Sequence, residues 1–171
     1  GATDILIDPR DPNLLYAATW QRHRTVAGYM GGGPGSAIYK SKDGGESWKK
    51  INNGLPNSNL GKIGLAISPQ NPDVIYAAIE LDRRKGGVFK SDNKGFSWKK
   101  MSDAVAGGTG PHYYQELYAS PHHFDELYLA DNYMQVSKDG GKTFKRMNEN
   151  EKHVDNHAVA FKKSDPNYIL V

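Results

Sequence analysis

Apolar residues along this chain come in short runs, each closed by Gly, Pro, Asn, Asp or Ser, and four such runs recur in the same order. The first precedes a proline turn (4–7, 63–67, 117–119) and the second follows it (14–19, 74–79, 127–130). The third leads into a Ser-x-Asp or Ser-x-Asn turn (37–40, 88–90, 134–136), and the fourth leaves that turn (47–51, 97–101, 143–147). No stretch keeps the 3.6-residue spacing of a helix, so the pattern predicts four strands, A to D, in every unit.

The turns make the repeat explicit. Ser41-Lys-Asp43-Gly-Gly45-Glu-Ser-Trp48 recurs as Ser91-Asp-Asn93-Lys-Gly95-Phe-Ser-Trp98 and as Ser137-Lys-Asp139-Gly-Gly141-Lys-Thr-Phe144, at intervals of 50 and 46 residues. A second element, Ile7-Asp-Pro-Arg-Asp-Pro12, recurs as Ile67-Ser-Pro-Gln-Asn-Pro72, then in altered form from Ala119 and from Phe161. Four short strands per unit of this length predict the blades of an all-β propeller. The expected segments are blade 1 at about 1–52, blade 2 at about 60–102, blade 3 at about 113–148 and part of a fourth at about 156–171, some three and a half blades within 1–171. In each C–D turn the Asp43, Asn93 or Asp139 side chain is expected to accept backbone N–H bonds. Gly45, Gly95 and Gly141 supply a left-handed conformation, and Trp48, Trp98 and Phe144 are expected to be buried between strands or blades.

Composition narrows the class. Aromatics at 11% argue against disorder despite a mean hydropathy of −0.69. A net charge of +3 without a basic block gives no reason to expect nucleic acid. The absence of cysteine excludes a disulfide scaffold and a thiol nucleophile, and no apolar run is long enough for a membrane-spanning helix. No cofactor is expected.

In an antiparallel A–B–C–D blade, the proline turns and C–D turns share one rim. The B–C loops and D–A connections form the other, where the long insertions fall and binding is expected. On the first loop, Trp20, Arg22, Arg24 and Tyr29 are candidate ligand contacts, and the Gly31–Gly33 run is a weak candidate anion cradle. Glu80 either belongs to a solvated hairpin with Arg83 and Arg84 or points into the rim. His112, Tyr113 and Tyr114, further candidate ligand contacts, enter an inner strand with Glu116, and Asp131 sits on a tight B–C loop with Tyr133. Trp20, Tyr29, Tyr113, Tyr114 and Tyr133 are expected to be exposed. His153, Asp155 and His157 would share one face if extended, two residues spanning about 6.6 Å. They suit a metal, a polar substrate, or hydrogen bonding between blades, and no metal site is assigned. Glu116, Asp155, Glu80 and Asp131 are the carboxylates available for acid–base chemistry, and a glycosidase needs two of them roughly 5 Å or 6.5–9.5 Å apart.

The Ser-x-Asp-x-Gly-x-Ser/Thr-Trp/Phe turns resemble the BNR or Asp-box repeat, found in sialidase, xyloglucanase-type and sortilin-type propellers. With Asp8-Pro-Arg-Asp-Pro-Asn13 and His153-Val-Asp-Asn-His157, the chain is most similar to bacterial exported, glycosyl hydrolase-like proteins. That resemblance implies an extracytoplasmic protein that binds or cleaves polysaccharide. The alternative is a non-catalytic, protein-binding propeller, either a sortilin-like receptor or a subunit of an exported assembly. Sialidases pair a Tyr nucleophile with Glu, and the resemblance extends this loosely to Tyr113 or Tyr114 with Glu116. Because propellers close with about four to eight blades, further blades are expected from the same or another chain.

Overall fold

The computed structural model describes residues 1–82, 85–107 and 113–171, and His112 lies outside them. Sixteen strands follow one another with no helix among the described residues. β1 (Ala2–Asp8), β2 (Asp11–Thr19), β5 (Ala37–Ser41) and β6 (Lys49–Lys50) form the first sheet, in that order. β3 (His23–Arg24) and β4 (Tyr29–Met30) make a small hairpin inserted between β2 and β5. The second sheet is β7 (Ile63–Ile67), β8 (Ile75–Asp82), β9 (Lys85–Ser91) and β10 (Lys99–Ser102). The third is β11 (Leu117–Ala119), β12 (Leu127–Leu129), β13 (Gln135–Ser137) and β14 (Lys145–Arg146). β15 (Ala160–Phe161) and β16 (Ile169–Leu170) pair as a two-stranded sheet.

All pairings are antiparallel, and β1 lies against β7 and β7 against β11, so first strands adjoin at the inner edge. This is a partial propeller of consecutive four-stranded blades. Alternation puts apolar side chains on both faces of each sheet, and the core is laid down between sheets. Tyr16, Ala18 and Ile38 of the first sheet meet Ile63, Leu65, Ile75 and Phe89 of the second. Val74, Tyr76 and Val88 on its other face meet Leu117, Leu127 and Leu129. Tyr128 and Met134 of the third pack with Phe161 and Ile169. Each fully buried Ile, Leu, Val, Phe or Met side chain among these contributes about 1.5–3 kcal/mol.

The C–D turns share one geometry. The Ser41 hydroxyl donates to Asp43 Oδ1 and accepts from the Gly45 N–H at 2.9 Å, and Asp43 Oδ1 accepts the Ser47 N–H at 2.9 Å. Ser91, Asn93 and Ser97 repeat it, as do Ser137, Asp139 and Thr143. Gly45, Gly95 and Gly141 have φ of 99°, 77° and 86°, a region that disfavours a Cβ. The bonds from Ser47 and from Thr143 hold the Asp43 and Asp139 carboxyls down at about 2.

The expectation of burial fails for Trp48. Trp98 is 5% exposed and its indole N–H reaches Ile51 O of the preceding sheet at 2.7 Å. Phe144 packs into the second interface. Trp48 is 39% exposed and its indole N–H turns back to Gly45 O. Its motif matches that of Trp98, but among the described residues no sheet stands across it.

Charged groups also tie sheet to sheet on the turn rim. Tyr76 OH donates to Asp125 of the next A–B turn. Lys90, whose ammonium lies 5.7 Å from the Tyr76 ring centre, donates to the same carboxylate at 2.9 Å. In the first sheet Lys40 lies 5.4 Å from the Tyr16 ring centre and donates to Lys94 O.

Candidate functional site

The rim opposite the C–D turns collects most of the candidate residues. Residues 20–36 rise from β2 as an arm whose hairpin pairs His23 with Met30 and Arg24 with Tyr29. The Arg22 guanidinium sits between two rings, 5.3 Å from Trp20 and 5.9 Å from Tyr29. That geometry fits a cation over π-faces. Arg24 is exposed, and the Trp20 indole N–H donates to Gly31 O. Burial, and then Glu80, push the Tyr29 phenol up. The glycine run turns its Gly33 N–H to the protein backbone and not to an anion. Gly33 N–H donates to Leu60 O at 3.1 Å, and a Cβ on Gly32 would meet that same oxygen, so the run serves close backbone packing.

Glu80 differs from the solvated-hairpin expectation. It is 8% exposed, and its Oε2 accepts the Lys62 N–H at 3.3 Å. Arg83 and Arg84 lie outside the described residues. Glu116 pairs with Lys62 at 2.7 Å, joining the third sheet to the second. Asp4, which the sequence reading did not single out, accepts the Leu65 N–H at 2.8 Å, and burial raises its carboxyl above the ordinary value, with Glu116 adding to the rise. Only a polar residue at the start of an otherwise apolar first strand marks it in the sequence.

The segment 153–157 is not an extended strand, which corrects the alternation argument. Asp155 has φ of 78°, and its N–H donates to Asn132 O at 2.8 Å. Its Oδ1 accepts from Tyr114 OH at 2.6 Å and from Asn132 Nδ2 at 2.6 Å. Asn156 Nδ2 donates to Asp131 O and Asn132 O. The segment therefore straps the D–A connection onto the Asp131 loop. The bond from Tyr114 is the main reason the Asp155 carboxyl sits below its ordinary value. His157 stacks on Tyr114 at 5.1 Å, while His153 is exposed, 4.0 Å from Asp155 Oδ2. Among the described residues no three metal-ligating side chains converge.

Asp131 is also engaged. It accepts N–H groups of Asn132, Gly107 and Gln135 at 2.8, 3.0 and 2.9 Å. Tyr114, expected to be exposed, is 4% exposed. Tyr29, Tyr113 and Tyr133 are 47%, 51% and 38% exposed. Tyr29, Tyr113 and Tyr133 are thus presented outward with Arg22 and Arg24, while the four candidate carboxylates hold loops in place.

No family model matches the chain. It is 31% identical over 116 residues to a xyloglucanase of Acetivibrio thermocellus, covering 64% of this chain and 13% of that enzyme. It is 30% identical over 115 residues to a xyloglucanase of Hypocrea jecorina, with the same coverage. Its fold matches the GH74 xyloglucanase of Xanthomonas campestris with a TM-score of 0.61 at 23% identity, over 85% of this chain and 20% of that one. It also matches YCF48 bound to D1 peptide with a TM-score of 0.58 at 14% identity, over 85% of this chain and 39% of that one. In sequence and fold the chain is similar to xyloglucanase-type propellers. It spans 13% of the length of the curated relatives it matches.

Proposed function

We propose that this chain is part of an exported, glycoside hydrolase-like propeller that grips polysaccharide across the rim of B–C loops and D–A connections. The observation that carries the reading is the exposure of Tyr29, Tyr113 and Tyr133 on that rim. Such rings offer flat faces to sugars beside hydrogen-bonding groups. Likeness to xyloglucanases makes a neutral β-glucan the first ligand to try. Binding is favoured over cleavage because Glu80, Glu116, Asp131 and Asp155 already accept bonds from the scaffold. The test is affinity electrophoresis in xyloglucan. Retardation that the triple Tyr29→Ala, Tyr113→Ala, Tyr133→Ala variant loses is expected, and migration indifferent to xyloglucan and to an acidic glycan alike would overturn the reading.

We also infer that a neighbouring blade of the same repeat covers the free face of the first sheet. Ile5 and Ile7 there are 58% and 56% exposed beside Trp48, a large apolar surface for a propeller edge. Light scattering is expected to give a native particle heavier than 18.9 kDa, and a stable monomer of that mass would refute the inference.

A second reading, a protein-binding propeller, is favoured by the β3–β4 hairpin, where Val26 is fully exposed and Met30 is 41% exposed. Trimming that hairpin would then abolish partner capture and leave glycan retardation unchanged.

A further inference from the structure

The third blade differs from the second at one pair of positions, and the difference releases a cation. Counted from the turn aromatics Trp98 and Phe144, Arg146 stands where Lys100 does, and Glu149 where Asp103 does. In the second blade Lys100 and Asp103 form an ion pair at 2.5 Å. In the third, the acid is one methylene longer and turns inward. The Glu149 side chain is 1% exposed, Oε2 accepts the Met134 N–H at 3.0 Å, and Oε1 lies 3.0 Å from Lys152 Nζ.

Arg146 keeps the exposed position without an acid. Its guanidinium lies 4.2 Å from the Tyr133 ring centre, and no carboxylate among the described residues is within ion-pair distance. Stacking restrains the planar fork, so less freedom is lost when it binds a ligand. Arg146 lines an open cleft of about 680 Å³ with Gly107, Asn132, Tyr133, Gln135 and Val154. The Asp131 carboxylate in the same wall is 8% exposed and accepts three N–H groups, so among the described lining residues the accessible charge is the guanidinium.

We propose that Arg146, held by Tyr133, binds the carboxylate of a uronate unit in an acidic polysaccharide. The proposal rests on the polysaccharide reading above and adds the charge of the ligand. A planar guanidinium accommodates a carboxylate through two parallel N–H···O bonds. The Tyr133 ring beside it offers an apolar face for the sugar, while the Asn132 amide N–H groups stay bound to Asp155 and Tyr114.

The experiment is titration of the intact protein with polygalacturonate oligomers and, separately, with xyloglucan oligomers. Arg146→Gln is compared with Lys145→Gln, which removes the adjacent exposed cation on the same strand. Matched denaturation midpoints establish that both variants are folded. Polygalacturonate affinity is expected to fall about tenfold or more in Arg146→Gln, the scale of a charge-assisted pair, and to hold in Lys145→Gln. Equal losses in the two variants would reduce the effect to general cationic attraction and overturn the site. Xyloglucan binding without polygalacturonate binding would overturn this proposal and leave the polysaccharide reading standing. Binding to neither glycan would remove both.

Discussion

The equivalent faces of the first two blades, each turned toward the preceding blade position, carry nearly the same residues and meet different fates. Leu65 and Trp98, turned toward the first blade, are 1% and 5% exposed, while Ile5 and Trp48 at the matching positions are 58% and 39% exposed. A repeat therefore writes burial into a pair of faces, and a side chain becomes core only when a neighbour stands across from it.

The sharpest test of that contrast is truncation of the two tryptophans. Trp98→Ala should cost about 3–5 kcal/mol in denaturant unfolding. Trp48→Ala should approach that cost in the native particle, where the inferred neighbouring blade covers it, and fall to about 1 kcal/mol or less where no blade stands across it. Equal costs would mean that Trp48 is covered in solution. Next in size, Gly64→Ala should cost about 1–3 kcal/mol, because a Cβ there would run into Gln115 O of the third blade. Removing the two phenols should separate the ties between blades. Tyr76→Phe loses a bond to the Asp125 carboxylate and should cost about 1.5–3 kcal/mol. Tyr16→Phe should be close to neutral, since the Tyr16 hydroxyl is buried without a hydrogen-bond partner among the described residues.

The smallest expected effect is a pH dependence. Asp43 and Asp139 titrate at about 2 in the fold against an ordinary 3.8, so what they contribute is complete above that ordinary value and is lost as pH falls through about 2. The double variant Asp43→Asn, Asp139→Asn should flatten the stability profile between about pH 4 and 2, leaving all three turns with the amide that Asn93 already carries. A profile unchanged by the substitutions would show that the acid sensitivity arises elsewhere.

The propeller was legible because strand alternation and turn residues recur in phase, and each unit alone needs only local pairing. What escaped the sequence was set across blades or by one backbone angle. A two-residue spacing in His153, Asp155 and His157 reads as one face of a strand, yet the positive φ of Asp155 bends the segment onto the Asp131 loop. Trp48 and Trp98 are indistinguishable by motif. The Asp103-to-Glu149 exchange looks conservative, and its consequence for Arg146 appears only when the longer acid is seen to reach Met134. Asp4 was passed over because its partner, the Leu65 N–H, is 61 residues away.

The tie from Tyr76 and Lys90 to Asp125 runs in one direction along the polypeptide, from the middle strands of one blade to the first turn of the next. During synthesis the acceptor leaves the ribosome after its donors, so the second blade waits with an unfilled phenol and ammonium until that turn emerges. Locking then advances from the amino to the carboxyl side. A paused ribosome from which residues up to 102 but not 125 have emerged would hold a nascent chain whose second blade is folded but still protease-sensitive along its trailing face.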